Sequence, residues 1–131
     1  MARRTVTLPE LQAALAIAEA AGAQDPTADP VPAADIRSAV RATLGWLAQQ
    51  HPGRAVEVRV PPHAAVQVLE GVRHTRGTPP NVVETDPATW LALVTGGITW
   101  AEAVGAGRVA ASGERASLAA YLPLQAARAR G

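Results

Sequence analysis

A chain of 131 residues carrying a formal net charge of +1 has room for one domain with a single buried core. It has no cysteine, which excludes a disulfide frame, a thiolate nucleophile and a Cys metal site. Its positive charge is all arginine and is scattered, with no basic stripe interleaved with aromatic platforms, so nucleic acid is not an expected partner. Phenylalanine is absent, and the core must come from aliphatics with Trp46, Trp90 and Trp100.

The chain opens on an amphipathic helix. Thr7-Leu8-Pro9-Glu10 has the form of a capping box, with Val6 and Leu11 spaced as a hydrophobic staple. Leu8, Leu11, Leu15 and Ala18 share a face, and Gly22 can end the helix, so its span is predicted at 7–21. Pro9, Glu10, Gln12 and Glu19 interrupt any export-signal core. No stretch reaches the ~18 apolar residues of a spanning helix. The expected location is the cytoplasm. Residues 22–31, with two Asp-Pro steps, read as a linker.

Pro32 and Asp35 suit the start of a second helix. Ile36, Val40, Leu44 and Leu47 form its apolar face, Arg37 and Arg41 point to solvent, and His51-Pro52-Gly53 stops it. Strands follow. Val56, Val58 and Val60 alternate with Glu57 and Arg59, a half-buried strand that Pro61-Pro62 ends. A second strand is expected over 63–70, a short third over 72–76, a fourth over 81–85 and a fifth over 108–112. Between the last two, Asp86-Pro87 opens a helix around Trp90, Leu91 and Val94 that Gly96-Gly97 closes. Thr99-Trp100-Ala101-Glu102 repeats the capping box for a short helix ending near Gly105. Leu118 and Leu122, an i,i+4 pair, predict a last helix that Pro123 terminates, and 125–131 is expected to be a flexible tail.

Strands grouped between helices give an α+β class, with the helices covering one sheet face. The first three strands suit a meander, and a crossover is expected between the fourth and fifth.

From Pro80 to Leu124 the order of elements and the punctuation by Asp86, Gly96-Gly97, Gly107 and Gly113-Glu114 resemble the C-terminal half of the sterol carrier protein family. Glu114 departs from the family's usual Asp. The resemblance runs from about residue 36 to 124 and is a fold-level pattern without a catalytic signature. It implies a sterol-carrier-like domain over 32–124, with an about five-stranded mixed or antiparallel sheet and an extra N-terminal helix and linker over 1–31. That helix offers a surface for a sister subunit, so a homodimer through it is one expectation. The arginine-for-lysine, alanine-rich composition suits a GC-rich bacterial genome of actinobacterial type.

No catalytic or metal motif competes with this reading. His51, His63 and His74 lack ligand spacing, no Gly-x-Ser-x-Gly elbow occurs, and Gly105-Ala106-Gly107 stands between a helix and a strand, the wrong order for a dinucleotide loop. No enzyme activity and no cofactor are expected. In the sterol carrier family, sheet and helices enclose an apolar tunnel for an acyl chain or sterol. Carried over, the resemblance implies Trp90, Leu91, Val94, Trp100, Val104, Leu118 and Leu122 as lining. The same residues equally suit a solid core.

Arg73 to Asn81 gathers two arginines, a histidine, two threonines and an amide, held by Pro79-Pro80. Its residues suit a carboxylate or phosphate, and His74 with Arg76 is the pair expected at the mouth of a site. A polar edge strand and turn would have the same composition. The expected function is non-catalytic binding of a lipid or other apolar small molecule. The alternatives are an accessory domain of a thiol-dependent isomerase-like system, or a solid-core protein-interaction domain.

Overall fold

The computed structural model describes residues 5–23, 25–71 and 81–124. Its elements are α1 (Leu8–Gly22), α2 (Ala33–Gln50), β1 (Val56–Val60), β2 (Ala64–Val68), β3 (Asn81–Thr85), α3 (Pro87–Thr95), α4 (Trp100–Gly105) and β4 (Val109–Ser112). The sheet order is β2-β1-β3-β4. The central pair β1–β3 is parallel and both flanking pairs are antiparallel, so the sheet is mixed.

Period-two alternation fixes which face is covered. Val56, Val58 and Val60 of β1, Val66 and Val68 of β2 and Val83 of β3 lie in register and are buried. Arg59, Gln67 and Glu84 occupy the opposite face and are exposed. The helices therefore lie on one face, and the other is polar and open to water, as alternating strands permit.

The helix boundaries follow local chemistry. Thr7 and Glu10 form the capping box of α1, and Thr99 and Glu102 that of α4. Asp86 caps α3 by accepting from the Thr89 N–H, and Gly96, at φ 85°, ends it in the left-handed conformation that favours glycine. α2 has no side-chain cap at Pro32 and relies on packing for its stability.

Helix α1 packs against α2 and α3. Leu11 and Leu15 are fully buried there. The join is reinforced by a side-chain amide: Gln49 Oε1 accepts from the Val6 N–H at 2.9 Å, and Gln49 Nε2 donates to the Val6 carbonyl at 3.0 Å. One glutamine thus satisfies both backbone groups of the residue leading into α1.

Three sequence expectations are corrected or left outside. Among the described residues the sheet has four strands, and the expected strand over 72–76 lies outside them. The last two strands are antiparallel neighbours, with no crossover to a parallel strand. Two helices explain this: the nine residues of α3 carry the chain away, and the turn at Gly96-Gly97 with the six residues of α4 brings it back. The final helix does not form. Residues 117–124 run as turns, with the Tyr121 N–H donating to the Leu118 carbonyl and the Leu124 N–H to the Val94 carbonyl. Pro123 leaves too few residues after the turn at Glu114-Arg115 to repay helix nucleation. Leu118, Leu122 and Leu124 are buried all the same, because α3 offers them an apolar seat.

Candidate functional site

The interlayer holds most of the residues singled out from sequence. Trp90, Leu91 and Val94 project from α3 and are buried, and Leu118 and Leu122 reach the same continuous core from the closing segment. Trp90 is fixed by its polar edge: Nε1 donates to Thr43 Oγ1 at 2.8 Å, and that hydroxyl donates back to the Ala39 carbonyl at 2.7 Å. The indole is thus locked to α2 inside the core. Among the described residues no buried side-chain nitrogen or oxygen lacks a partner, so this region is both filled and electrically satisfied.

Helix α4 behaves differently. Trp100 is half-buried against the core, whereas Val104 is 41% exposed. On the neighbouring strand Val109 is buried and Ala111, two residues on and on the same face, is exposed. The structure therefore brings Trp90, Leu91, Val94, Trp100, Leu118 and Leu122 to one body of side chains and leaves Val104 at its margin.

His74 and Arg76 lie outside the described residues, but both roots of their stretch are defined. Asn81 Nδ2 donates to the Ala55 carbonyl and Asn81 Oδ1 accepts from the Arg115 N–H, at 2.9 and 3.1 Å. Gly71 sits against Ala55 and the Arg115 guanidinium, which donates to the Glu70 carbonyl. Gly113, at φ 103°, approaches Asn81 so closely that any side chain there would collide with it. Gly71 and Asn81 thus both sit against Ala55 and Arg115.

Open space occurs elsewhere. Two grooves, of about 630 and 580 Å³, lie along α2 and the outer edge of β2, and they share Gly45, Ala65 and Val66. Arg37 and Arg41 line one and Arg54 the other. None of the residues named from sequence as lining belongs to either. The grooves had a partial signal: a glycine inside a helix at Gly45, and two arginines four residues apart beside it.

Charge is disposed for structure. Burial works against the Asp86 carboxylate, but hydrogen bonds from the Thr89 N–H and hydroxyl, together with the Arg108 charge, hold its pKa below the ordinary value. The Glu102 carboxyl is lowered by its hydrogen bonds with Thr99. The His51 and Tyr121 rings pack at 4.6 Å, tilted by 58°. Among the described residues no cluster of three or more His, Cys, Asp or Glu could hold a metal ion, and no helix is long and apolar enough to cross a membrane.

A mixed sheet with helices on one face and an aliphatic interlayer defines the class as α+β. Residues 32–124 match the family described as "Bacterial SCP ortholog", and the chain belongs to this sterol-carrier-like family. Helix α1 precedes the matched span. No curated protein matches the chain.

Proposed function

We propose that this protein is a non-catalytic binder of a lipid or other apolar small molecule, an acyl chain or sterol-like, taken up between the sheet and its helix layer. Family membership over residues 32–124 carries the reading. The aliphatic character of the interlayer supports it, since such a surface binds through removal of apolar area from water. The interlayer is closed around Trp90, so uptake requires a seam to part. The seam between α4 and β4 is the candidate: Trp100 is half-buried there, and Val104 and Ala111 are already wet. The ligand would slide in beside Trp100, towards Leu91, Val94, Leu118 and Leu122. A cytoplasmic carrier of this kind needs no metal or cofactor. His74 and Arg76 would receive the polar end of an acidic ligand.

The test is a titration with a long-chain fatty acid and with its acyl-CoA, followed by Trp emission. A saturable change that survives in Trp90→Phe and disappears in Trp100→Phe supports uptake at the seam. No saturable response in the wild-type chain removes the carrier reading.

A second reading is favoured by one observation, the filled interior: a solid-core protein-interaction domain. A homodimer through α1 would be one form of it. The apolar face of α1 is already spent on α2 and α3, so such a dimer would use its outer side, where Leu8 is 48% exposed. Sedimentation of wild type and Leu8→Glu decides this, since only a dimer through that side dissociates.

A further inference from the structure

The outer edge of β2 has no neighbouring strand among the described residues. Ladder bonds alternate along an antiparallel pair. The Val60 carbonyl turns towards β2, where it accepts from the His63 N–H, and Pro61 has no N–H to offer, so Val60–Ala64, Val58–Val66 and Val56–Val68 are the bonded pairs. Ala65 and Gln67 therefore aim their N–H and C=O groups away from β1, and both residues are exposed. Among the described residues nothing bonds to these backbone groups. After Leu69 the chain turns the other way, under β1, where Gly71 meets Ala55. The two grooves described above converge on this edge.

The charge beside the edge is one-sided. Arg41 lies at its start, with Nε donating to the His63 carbonyl, and Arg37 stands one helical turn earlier. Among the described residues neither has an ion-pair partner. The acids that border the grooves are already engaged: Glu10 in the cap of α1 and Glu57 with Arg59. Arg54, at the far end of the strand, donates to Gln67.

We propose that the groove between α2 and the edge of β2 binds an extended acidic polypeptide segment of a partner protein. The segment adds as a short strand, bonding to Ala65 and Gln67, while its carboxylates meet Arg37 and Arg41. A second copy of the chain fits poorly. Two-fold pairing of β2 with itself would set the Arg41 end of one molecule against the Arg54 end of the other, cation on cation. A lipid fits poorly as well, because an open groove with arginines along its wall leaves an acyl chain wet. This inference does not depend on the carrier reading.

The experiment is amide NMR on the full chain. The probe is a terminally blocked heptapeptide in which valine alternates with glutamate. In the free protein the Ala65 and Gln67 amides should exchange faster than those of Ala64 and Val66. The peptide should shift the Ala65 and Gln67 signals and slow their exchange. Arg37→Gln combined with Arg41→Gln should weaken binding about tenfold, since charge-assisted hydrogen bonds are the stronger kind. The same peptide N-methylated at alternate valines keeps its charge and should lose the shifts. So should Ala65→Pro, which removes an outward donor while leaving the β1 ladder intact; its unchanged circular dichroism would show that the fold survives. Four results overturn the proposal: slow exchange at Ala65 and Gln67 in the free chain, which means the edge is already covered; dimeric sedimentation that Ala65→Pro abolishes; equal binding of the N-methylated peptide; or a long-chain fatty acid shifting these amides where the peptide does not.

Discussion

The interlayer around Trp90 and the groove along β2 are built on the two sides of one helix and obey opposite rules. On the inner side of α2, Val40, Leu44 and Leu47 are fully buried, and Thr43 offers its hydroxyl to the indole of Trp90. On the outer side, Gly45, Ala48 and Ser38 are small, and the side chains beside them end in charge. The inner surface is buried and every buried side-chain nitrogen and oxygen described is satisfied; the outer one keeps space beside the edge of β2. Close packing gives stability and excludes a guest unless something moves. An open groove gives up that stability and can meet a partner without rearrangement. The comparison separates residues that hold this protein together from residues available for recognition.

The largest effect should come from the centre of the filled side. Trp90→Ala should destabilise the fold by about 3–5 kcal/mol, since it opens a cavity the size of an indole. Trp90→Phe keeps most of the volume but removes the donor to Thr43, and should cost about 1 kcal/mol. Chemical denaturation measures both, and a near-neutral Trp90→Ala would mean that the interlayer is looser than its packing implies.

Leu118→Ala tests whether the closing segment belongs to the core despite having no helix. It should cost about 2–5 kcal/mol, in the range of buried leucines elsewhere. A loss under about 0.5 kcal/mol, the size of a surface change, would assign 117–124 to the periphery.

Gln49→Ala removes the amide that holds both backbone groups of Val6. The expected loss is about 1–2 kcal/mol. Hydrogen exchange should rise across α1 before it rises in the sheet. Uniform acceleration would instead show that α1 and the sheet open together.

Asp86→Ala should cost about 1 kcal/mol at neutral pH, the usual worth of a helix N-cap. The pH dependence has a fixed sign. The carboxyl is lowered in the folded chain, so its contribution is complete above the unfolded pKa and is lost as pH falls through the folded value. Melting curves of wild type and variant should therefore converge in acid. Curves that stay parallel would assign the effect to the lost packing of the side chain.

The smallest effect belongs to the open side. Arg37→Gln should change stability by less than about 0.5 kcal/mol, because an exposed cation with no ion-pair partner among the described residues contributes little to folding. A larger loss would show that the groove is part of the structural frame.

The sequence by itself determined the elements whose causes are local. The capping boxes at Thr7 and Thr99, the Asp86-Pro87 start and the glycine stops placed α1, α3 and α4 within a residue or two, and alternation at Val56-Val58-Val60 identified β1 and its inward face. Those signals act between residues a few positions apart, so they survive without tertiary context. The final helix failed for the opposite reason. The Leu118–Leu122 spacing is helical, but only packing against α3 decides the shape of so short a segment, and there turns bury both leucines equally well. The pairing of β1 with β3, the bond from Trp90 to Thr43 and the Gln49 clasp on Val6 join residues 25, 47 and 43 positions apart. No local pattern encodes such contacts. The groove along β2 is likewise a tertiary product: an edge exists only once the strand order is set, and that order leaves the backbone of Ala65 and Gln67 on the outside.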